Sequence, residues 1–507
     1  MVYRGKPSPG CALCRARRLL CDRRRPSCSQ CLRAKRECSG YQDLQALRIH
    51  DQSQEIVAKA QAQVRRNPRK SPKTSPKTSP PVQSETLFVP IPASIPASMD
   101  ERAISYMFKI FVGTKQSRGV LAFMPNLIGE DPSPALQATI KAVGMAGMSR
   151  VHSLPKMQYS AAVQYSNALL ATNRALQDSK VARSDSTLAA VVLLSTYEMI
   201  TCQEAANGNN FMCGWSKHVR GATKLLELRG EEQMGSHSGL ALFSVVRMQI
   251  VFNSIFTRER ISPELKALSR EAKTYRNTES KSIEDFYNIV CQLADLSIES
   301  DKVFTNAYFS TDSVSIIKAA LHLDADLISW ALLVDPTWRY KSTKTPVVNK
   351  TNDHQQYPLY YGNRFHVYPN IELASMWTYY YQTRIIVHGI IQATCRELLE
   401  IDTAHSCQHI FNQSIAISKQ MVDDICASVP MYFTSGETGL GGMMRLSWPL
   451  FVAADSAVTT PEEKSWLQQT LEKIGQITGS QQALTMSNFL KKGSVVPFIP
   501  GNMVRRR

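Results

Sequence analysis

The chain lacks the features that mark membrane and secreted proteins. No window approaches eighteen consecutive apolar residues, and the longest apolar patch without a charge, Leu188–Leu194, is seven residues long. A helix that crosses a membrane needs about 20 apolar residues, so we expect no membrane span. The first ten residues, MVYRGKPSPG, contain no apolar core of a secretory signal. We therefore expect the cysteines to be in a reducing compartment.

The recurrent motifs of enzymes are missing as well. The chain contains neither a phosphate-binding G-x-x-x-x-G-K-[ST] loop nor the metalloprotease motif H-E-x-x-H. The segment GSHSG at 235–239 has histidine where a nucleophile elbow needs serine. The glycine-rich segment GETGLGG at 436–442 is not followed by the Lys-Ser/Thr pair of a phosphate loop. These absences predict that the protein is not an enzyme and has no catalytic residues.

Acidic residues are scarce in one part of the chain only. The net charge is +17, and residues 1–80, with 19 Lys and Arg against 5 Asp and Glu, supply +14 of it. Residues 505–507 are three arginines, which leaves residues 81–504 neutral overall. A positive charge that is concentrated at one end of a chain is typical of a segment that binds nucleic acid.

Half of the twelve cysteines lie within this basic end. They follow the spacing C-x2-C-x6-C twice, and the second copy is offset from the first by seventeen residues. The six residues are Cys11, Cys14, Cys21, Cys28, Cys31 and Cys38. Paired C-x2-C units in a reducing compartment indicate a metal site, and zinc is the best candidate because it accepts tetrahedral thiolate ligation. Buried thiols without a metal and a disulfide scaffold are the alternatives.

Six cysteines suit two zinc ions better than one. A single four-cysteine site would leave two thiols unused, whereas two tetrahedral sites need eight bonds and therefore two bridging sulfurs. A segment of about forty residues cannot bury enough apolar surface to be stable alone. We therefore expect that zinc supplies the folding energy of this segment.

The stretch CALCRARRLLCDRRRPSCSQCLRAKRECSGY, residues 11–41, resembles the fungal Zn(II)2Cys6 binuclear cluster DNA-binding domain. The matching features are the six cysteines, the basic segment after Cys14, Cys-Asp at 21–22, Pro26, CSQC at 28–31 and Gly-Tyr at 40–41. The resemblance implies two Zn2+ ions per chain, with Cys11 and Cys28 as the bridging ligands. It also implies that a short helix beginning near the second cysteine enters the major groove of DNA.

The arginines of this segment are the candidate DNA contacts. The resemblance implies that Arg17 and Arg18 read the bases of a CGG-type, GC-rich triplet, since guanidinium groups fit the edge of guanine. A contact to phosphate, or an exposed charge without a contact, is the alternative for each. Arg15, Arg23 and Arg24 are further candidate DNA contacts, and the run Arg23–Arg25 favours phosphate contacts or nuclear import over base reading. Leu20 departs from the family, which has lysine just before the third cysteine.

Residues 42–98 are predicted to form a disordered, basic linker. The segment RRNPRKSPKTSPKTSPP at 65–81 is rich in proline, serine and lysine and cannot form a core. A short helix is expected within 41–66, and the resemblance to the family implies a homodimer that forms just after the cluster. Phosphate on Ser71, Ser75 or Ser79 would oppose DNA binding through its negative charge.

The third part, residues 99–507, is predicted to be one large all-α domain. Apolar residues recur at helical spacing in nine segments. These are 100–112, 186–202, 215–229, 239–256, 283–298, 313–333, 371–399, 410–427 and 462–477. Gly230 is expected to end the third of them. Residues 335–369 are predicted to be an ordered loop, and the other six cysteines to be buried free thiols.

The segment GWSKHVRGATKLLELRG at 214–230 resembles part of the fungal-specific transcription factor regulatory domain, an all-helical body found behind such zinc modules. His218 and Arg220 within it are expected to serve the helix face rather than a site. The resemblances together imply a nuclear, zinc-dependent transcription regulator with domains at 1–41, 42–98 and 99–507. Its partners are expected to be double-stranded DNA and the transcription machinery.

The role of the protein within this class is less defined by the sequence. The family analogy favours an activator, with a secondary-metabolite gene cluster as the expected target. The alternatives are a ligand-sensing regulator of nutrient-use genes and a helical scaffold that uses the cluster for protein contacts. Salt dependence of DNA binding separates the scaffold from the DNA-binding regulator, because phosphate contacts weaken as salt rises.

Overall fold

The chain divides into two units, Met1–Pro92 and Ala93–Arg507, in the computed structural model. The structure describes residues 10–17, 19–24, 26–38, 97–113, 121–202, 213–276, 281–305, 309–345, 359–401, 405–434 and 440–492. The predicted linker therefore lies outside the described residues up to residue 96, together with Ser71, Ser75 and Ser79.

The first unit is built on two short helices, α1 (Ala12–Ala16) and α2 (Ser29–Arg33). Each helix begins directly after the first cysteine of a C-x2-C pair. The buried side chains among the described residues of this unit are Cys11, Cys14, Cys28 and Cys31. Leu19, Leu20 and Leu32 are exposed, so no aliphatic core stabilises this part of the unit.

The second unit is a helical body. Its first helices lie between residues 99 and 271. They are α3 (Met99–Met107, continued by a π-helical turn at Phe108–Val112), α4 (Met124–Glu130), α5 (Pro134–Val151), α6 (Pro155–Gln177), α7 (Asp185–Thr201), α8 (Cys213–Arg229), α9 (His237–Thr257) and α10 (Pro263–Glu271). The remaining helices follow in chain order. They are α11 (Lys281–Thr305), α12 (Phe309–Leu333), α13 (Ile371–Ile401), α14 (His405–Thr434), α15 (Leu440–Asp455), α16 (Pro461–Thr478) and α17 (Gln481–Lys491).

Local sequence signals set the ends of several helices. Ser98 caps α3 and Thr460 caps α16, each in a capping box with a glutamate three residues later. Gly230 follows α8 with a φ of 60° and Gly479 follows α16 with a φ of 68°, a conformation that glycine adopts without strain. All nine predicted helices are present, and the prediction of an all-α body is confirmed.

Six helices of the body were not predicted from the sequence: α4, α5, α6, α10, α15 and α17. Helix α5 contains Gly144 and Gly147, and α15 contains Pro449, which are residues that normally argue against a helix interior. A carbon added at Gly144 would overlap the backbone carbonyl of Ala103, so the glycine lets α3 and α5 approach closely.

The prediction of a loop at 335–369 is wrong in part. Strand β1 (Lys341–Lys344) pairs antiparallel with β2 (Arg364–Val367), with Lys341 opposite Val367. All four residues of β1 are exposed, so the segment has no apolar alternation that would reveal a strand. Residues 346–358 between the strands lie outside the described residues.

Buried polar groups attach these strands and helices to one another. His366 on β2 lies with Nδ1 2.8 Å from Ser342 Oγ and Nε2 3.1 Å from Asp424 Oδ1 on α14. Arg364 Nη2 donates to the same carboxylate oxygen at 2.8 Å. The Asp424 carboxylate thus joins β2 to α14, and His366 links this pair to Ser342 on β1.

A second buried network joins α12 to α13. The Arg384 guanidinium donates through Nε and Nη2 to the two carboxylate oxygens of Asp324, at 2.6 and 2.9 Å. His388 Nε2 lies 3.3 Å from Asp324 Oδ2. Burial raises the pKa of Asp324, but His388 and Arg384 more than offset this and lower the pKa to about 2. The carboxylate is therefore charged at neutral pH.

The apolar side chains of the body form one continuous core that includes residues from α3 to α17. Helix α9 is long and apolar enough to cross a membrane, yet 72% of its most apolar window is buried inside the body. Its composition is therefore that of a core helix. Of the described cysteines outside the first unit, Cys202, Cys291, Cys395 and Cys426 are buried and form no disulfide, while Cys407 is half-buried. The side chain of Cys213 lies outside the described residues.

Candidate metal centre and nucleic-acid interface

The six cysteine sulfurs of the first unit form two groups of four. Within each group, all sulfurs lie within 4.8 Å of one another. The first group is Cys11, Cys14, Cys21 and Cys28, and the second is Cys11, Cys28, Cys31 and Cys38. Two sulfurs, those of Cys11 and Cys28, therefore belong to both groups, which is the arrangement that a pair of bridged metal ions requires.

The sulfur distances fit tetrahedral zinc. A tetrahedron with Zn–S bonds of about 2.3 Å has edges of about 3.8 Å. The measured distances are 3.8 Å for Cys11 to Cys28, 3.7 Å for Cys11 to Cys31 and 3.6 Å for Cys14 to Cys28. The sulfurs thus lie at the separation that ligation of one metal ion by both would impose. No disulfide joins them.

Helical geometry brings the first two sulfurs of each half together. Residues three apart lie on the same face of a helix, so a C-x2-C pair in one turn directs both thiols to one side. After α1, Leu19 N donates to Cys14 O at 2.9 Å, and after α2, Arg36 N donates to Cys31 O at 3.0 Å. These two bonds are related by the seventeen-residue offset, so the sequence repeat is also a structural repeat.

The crowding of the sulfurs opposes ionisation in the absence of a cation. Burial raises the pKa of the Cys14 and Cys28 thiols. The pKa of Cys31 is raised to about 12, mainly by its hydrogen bond with Cys28 and secondly by burial. Backbone hydrogen bonds lower the pKa of Cys21. Metal ligation needs thiolates, and a soft divalent cation supplies the positive charge that stabilises them together.

Asp22 closes the loop between the two halves. Ser29 N donates to Asp22 Oδ1 at 3.0 Å, and Ser29 Oγ donates to Asp22 Oδ2 at 2.5 Å. These bonds hold the first turn of α2 against Asp22, which directly follows the third cysteine, Cys21. They also lower the pKa of Asp22. Sequence comparison marks Asp22 as part of the motif, but only the structure shows that its partner is Ser29.

The candidate DNA-contacting arginines are described in part. Arg17 follows α1 and is exposed, and Arg23 is exposed with a φ of 55°. Arg24 Nε lies 3.6 Å from the carboxylate of Asp22. The whole of Arg18 and Arg25, and the side chain of Arg15, lie outside the described residues. The assignment of these arginines to bases or to phosphates stays a prediction.

Leu20 is the most exposed large apolar residue of the described chain, at 93%. It stands just before Cys21, at the position where the family has lysine. An exposed leucine there contributes nothing to the small sulfur core.

His218 and Arg220, on α8 of the body, have structural partners. Tyr165 Oη donates to Glu198 Oε1 at 2.5 Å and lies 2.9 Å from His218 Nε2. Arg220 Nε donates to Glu259 Oε2 at 2.9 Å. These contacts attach α8 to its neighbours, in agreement with the expectation that the pair serves the helix face.

Models of two known protein families match this chain, one in each unit. A model of the fungal Zn(2)-Cys(6) binuclear cluster domain matches residues 9–47, and a model of the fungal specific transcription factor domain matches residues 122–492. The latter covers more than half of the chain. No solved structure matches.

Two curated proteins resemble the N-terminal segment. The white-opaque regulator 2 of Candida albicans is 46% identical over 46 residues, which are 9% of this chain and 10% of that protein. A transcriptional regulatory protein of Schizosaccharomyces pombe is 47% identical over 38 residues, which are 8% of this chain and 7% of that protein. The chain thus matches only a small part of each relative. From the two domain matches, the chain belongs to the fungal specific transcription factor domain family and carries a Zn(2)-Cys(6) binuclear cluster domain, and both are domains of transcription regulators, not of enzymes.

Proposed function

We propose that residues 1–41 fold around two zinc ions that are held by Cys11, Cys14, Cys21, Cys28, Cys31 and Cys38, with Cys11 and Cys28 as bridging ligands. The observation that carries this proposal is the pair of four-sulfur groups that share these two sulfurs. Sulfur separations of 3.6 to 3.8 Å support the same assignment. When bound, the two ions neutralise the thiolates and supply the folding energy that an aliphatic core supplies elsewhere.

The folded module binds duplex DNA through its arginines. Six thiolates and two Zn2+ ions leave a charge of −2, so the surrounding arginines provide the attraction to phosphate. Arg17 and Arg18 read a GC-rich triplet in the major groove, and Arg15, Arg23 and Arg24 contact phosphates. The exposure of Arg17 and Arg23 supports this assignment.

An experiment on full-length, zinc-loaded protein separates base reading from phosphate contact. Arg17→Ala and Arg18→Ala are compared on a duplex with a CGG triplet and on a scrambled duplex, over a range of salt concentrations. A base contact predicts a loss of about 1–3 kcal/mol on the CGG duplex and loss of discrimination. A phosphate contact predicts a uniform loss on both duplexes and a salt slope that is smaller by about 1.

The matched control is Arg102→Ala on α3, an exposed arginine of the body. It changes the net charge by the same amount and leaves DNA binding unchanged. Equal binding of the CGG and scrambled duplexes by the unchanged protein, without salt dependence, would refute DNA reading and favour the scaffold function.

In the cell, the protein acts in the nucleus as a regulator of RNA polymerase II genes, with residues 42–98 as linker and residues 99–507 as the regulatory body. Activation of a secondary-metabolite gene cluster, with the protein bound as a homodimer to two half-sites, is the proposed role. Genome-wide mapping of bound sites, combined with transcript levels after deletion, tests it. Bound genes whose transcripts rise after deletion would identify a repressor instead.

A further inference from the structure

The body contains a cavity that neither family match assigns. Its volume is about 300 Å3, and side chains of α7, α8, α9, α11, α13 and α15 line it. Cavities that bind small molecules start at about this size. The described residues that line it all belong to Ala93–Arg507.

Aromatic rings form much of its wall. The rings of Phe252 and Trp448 are nearly parallel, with an angle of 13° and centroids 6.2 Å apart. Tyr379 meets Phe252 edge to face, with centroids 5.8 Å apart. Four methionines, Met199, Met248, Met376 and Met444, also line the cavity. Flat rings and flexible thioethers together suit a flat apolar ligand.

The positively charged side chain of Arg445 also lines the cavity. Arg445 on α15 is half-buried, and no ion pair joins it to a carboxylate among the described residues. Glu372 is the acidic residue of the described lining, and it is exposed. Burial raises the pKa of Tyr379 and of Tyr287, while the positive charge of Arg445 opposes that rise in both. Arg445 therefore contributes to this mostly apolar wall a cationic group without an ion-pair partner, and an anionic group of a ligand would pair with it.

We propose that this cavity binds a small aromatic carboxylate. The carboxylate pairs with Arg445, and the aromatic ring lies among Phe252, Tyr379, Trp448 and the methionines. A neutral analogue of the same shape lacks the charge that Arg445 recognises and binds more weakly.

Calorimetric titration of the full-length, zinc-loaded protein tests this proposal with 2-naphthaleneacetate as the probe and 2-naphthaleneacetamide as its neutral counterpart. The acetate is expected to bind saturably and more tightly than the amide. Arg445→Gln is expected to weaken the acetate roughly ten- to hundredfold, because a hydrogen bond to a charged group contributes that much, and to leave the amide unchanged. Arg220→Gln, which removes a cation outside the cavity, leaves both unchanged.

Val245→Phe supplies an independent test, since Val245 lines the cavity and a larger side chain there fills it. It is expected to abolish binding of both probes, with thermal unfolding of the variant confirming that the body is folded. The proposal is overturned if the acetate does not bind saturably, if it binds no better than the amide, or if Arg445→Gln or a folded Val245→Phe variant binds it unchanged.

Discussion

The zinc-cluster module, residues 1–41, and the helical body, residues 99–507, bury different kinds of side chain. In the module, the buried side chains of the described residues are four cysteines, and Leu19, Leu20 and Leu32 face the solvent. In the body, one apolar core includes helices from α3 to α17. The chain thus combines a segment that we propose to be stabilised by metal ligation with a domain that is stabilised by apolar burial.

Removal of zinc is expected to have the largest effect and to fall on the module alone. Cys28→Ser removes a sulfur from both four-sulfur groups, and chelation removes the ions themselves. Either change costs the module roughly 10 kcal/mol of folding free energy and abolishes DNA binding. Elemental analysis, circular dichroism of the N-terminal segment and DNA binding measure this, while the thermal unfolding of the body stays the same.

Cys426→Ser is the matched control, because Cys426 is also a buried free thiol but lies in the body. It leaves two zinc ions per chain and DNA binding unchanged. Two zinc ions in the Cys28→Ser protein would contradict the bridging assignment and would weaken the contrast between the two units.

Asp324→Asn is expected to have the next largest effect, and it falls on the body alone. The change leaves the buried Arg384 guanidinium without its anionic partner, at a cost of about 3 kcal/mol in the free energy of unfolding. Because the folded pKa of Asp324 is about 2, this contribution is fully present above the unfolded pKa of about 4. It is lost as pH falls from about 4 to about 2.

Denaturant unfolding of the unchanged protein and of the Asp324→Asn variant, from pH 6 to pH 2, measures this contribution. The difference between their free energies of unfolding should shrink toward the acid end. Asp326→Asn removes a half-exposed partner of His322 and should change stability by less than about 1 kcal/mol. If Asp326→Asn lowered the free energy of unfolding as much as Asp324→Asn does, the effect would come from net charge rather than from the buried pair of Asp324 and Arg384.

Gly144→Ala tests how closely the body is packed. The added carbon overlaps the carbonyl of Ala103, so we expect a loss of about 1–3 kcal/mol in the free energy of unfolding. Gly129→Ala is the matched control on α4, where nothing lies within 4 Å, and a gain of up to about 1 kcal/mol is expected. Equal effects of the two changes would mean that α3 and α5 separate at little cost.

Leu20→Lys is expected to have the smallest effect, and it falls on the module. The side chain is exposed, so folding and zinc content stay unchanged. An added phosphate contact increases the salt slope of DNA binding by about 1. Leu321→Lys on α12, at an exposed apolar position of the body, should leave the slope unchanged. An unchanged slope for Leu20→Lys would place residue 20 away from the DNA.

The module was more predictable from the sequence than the body, and the reason is physical. Metal ligands must be cysteines at short spacings, so the sequence itself displays the candidate site of Cys11 to Cys38. The contact of Asp22 with Ser29 was not predictable, because it depends on the path of the loop between them. The outcome for Arg18 stays open, because it lies outside the described residues.

In the body, amphipathic helices such as α11 were predicted, whereas α5 and α15 were not. Their glycines and proline oppose a helix locally, and tertiary packing overrides that preference. Strand β1 could not be predicted, because its four residues are all exposed and show no apolar alternation. The cavity could not be predicted either, since Trp215, Tyr379 and Arg445 are far apart in the chain.

The shared sulfurs of Cys11 and Cys28 make the metal centre sensitive to oxidants as a unit. Oxidation of one thiolate to a sulfenic acid at either position would remove a ligand from both four-sulfur groups in one chemical event. Oxidation of Cys14 or Cys38 would affect one group first. Cys11 and Cys28 are fully buried, however, whereas Cys21 and Cys38 are half-buried, so peroxide would reach an unshared ligand of each group before the shared ones.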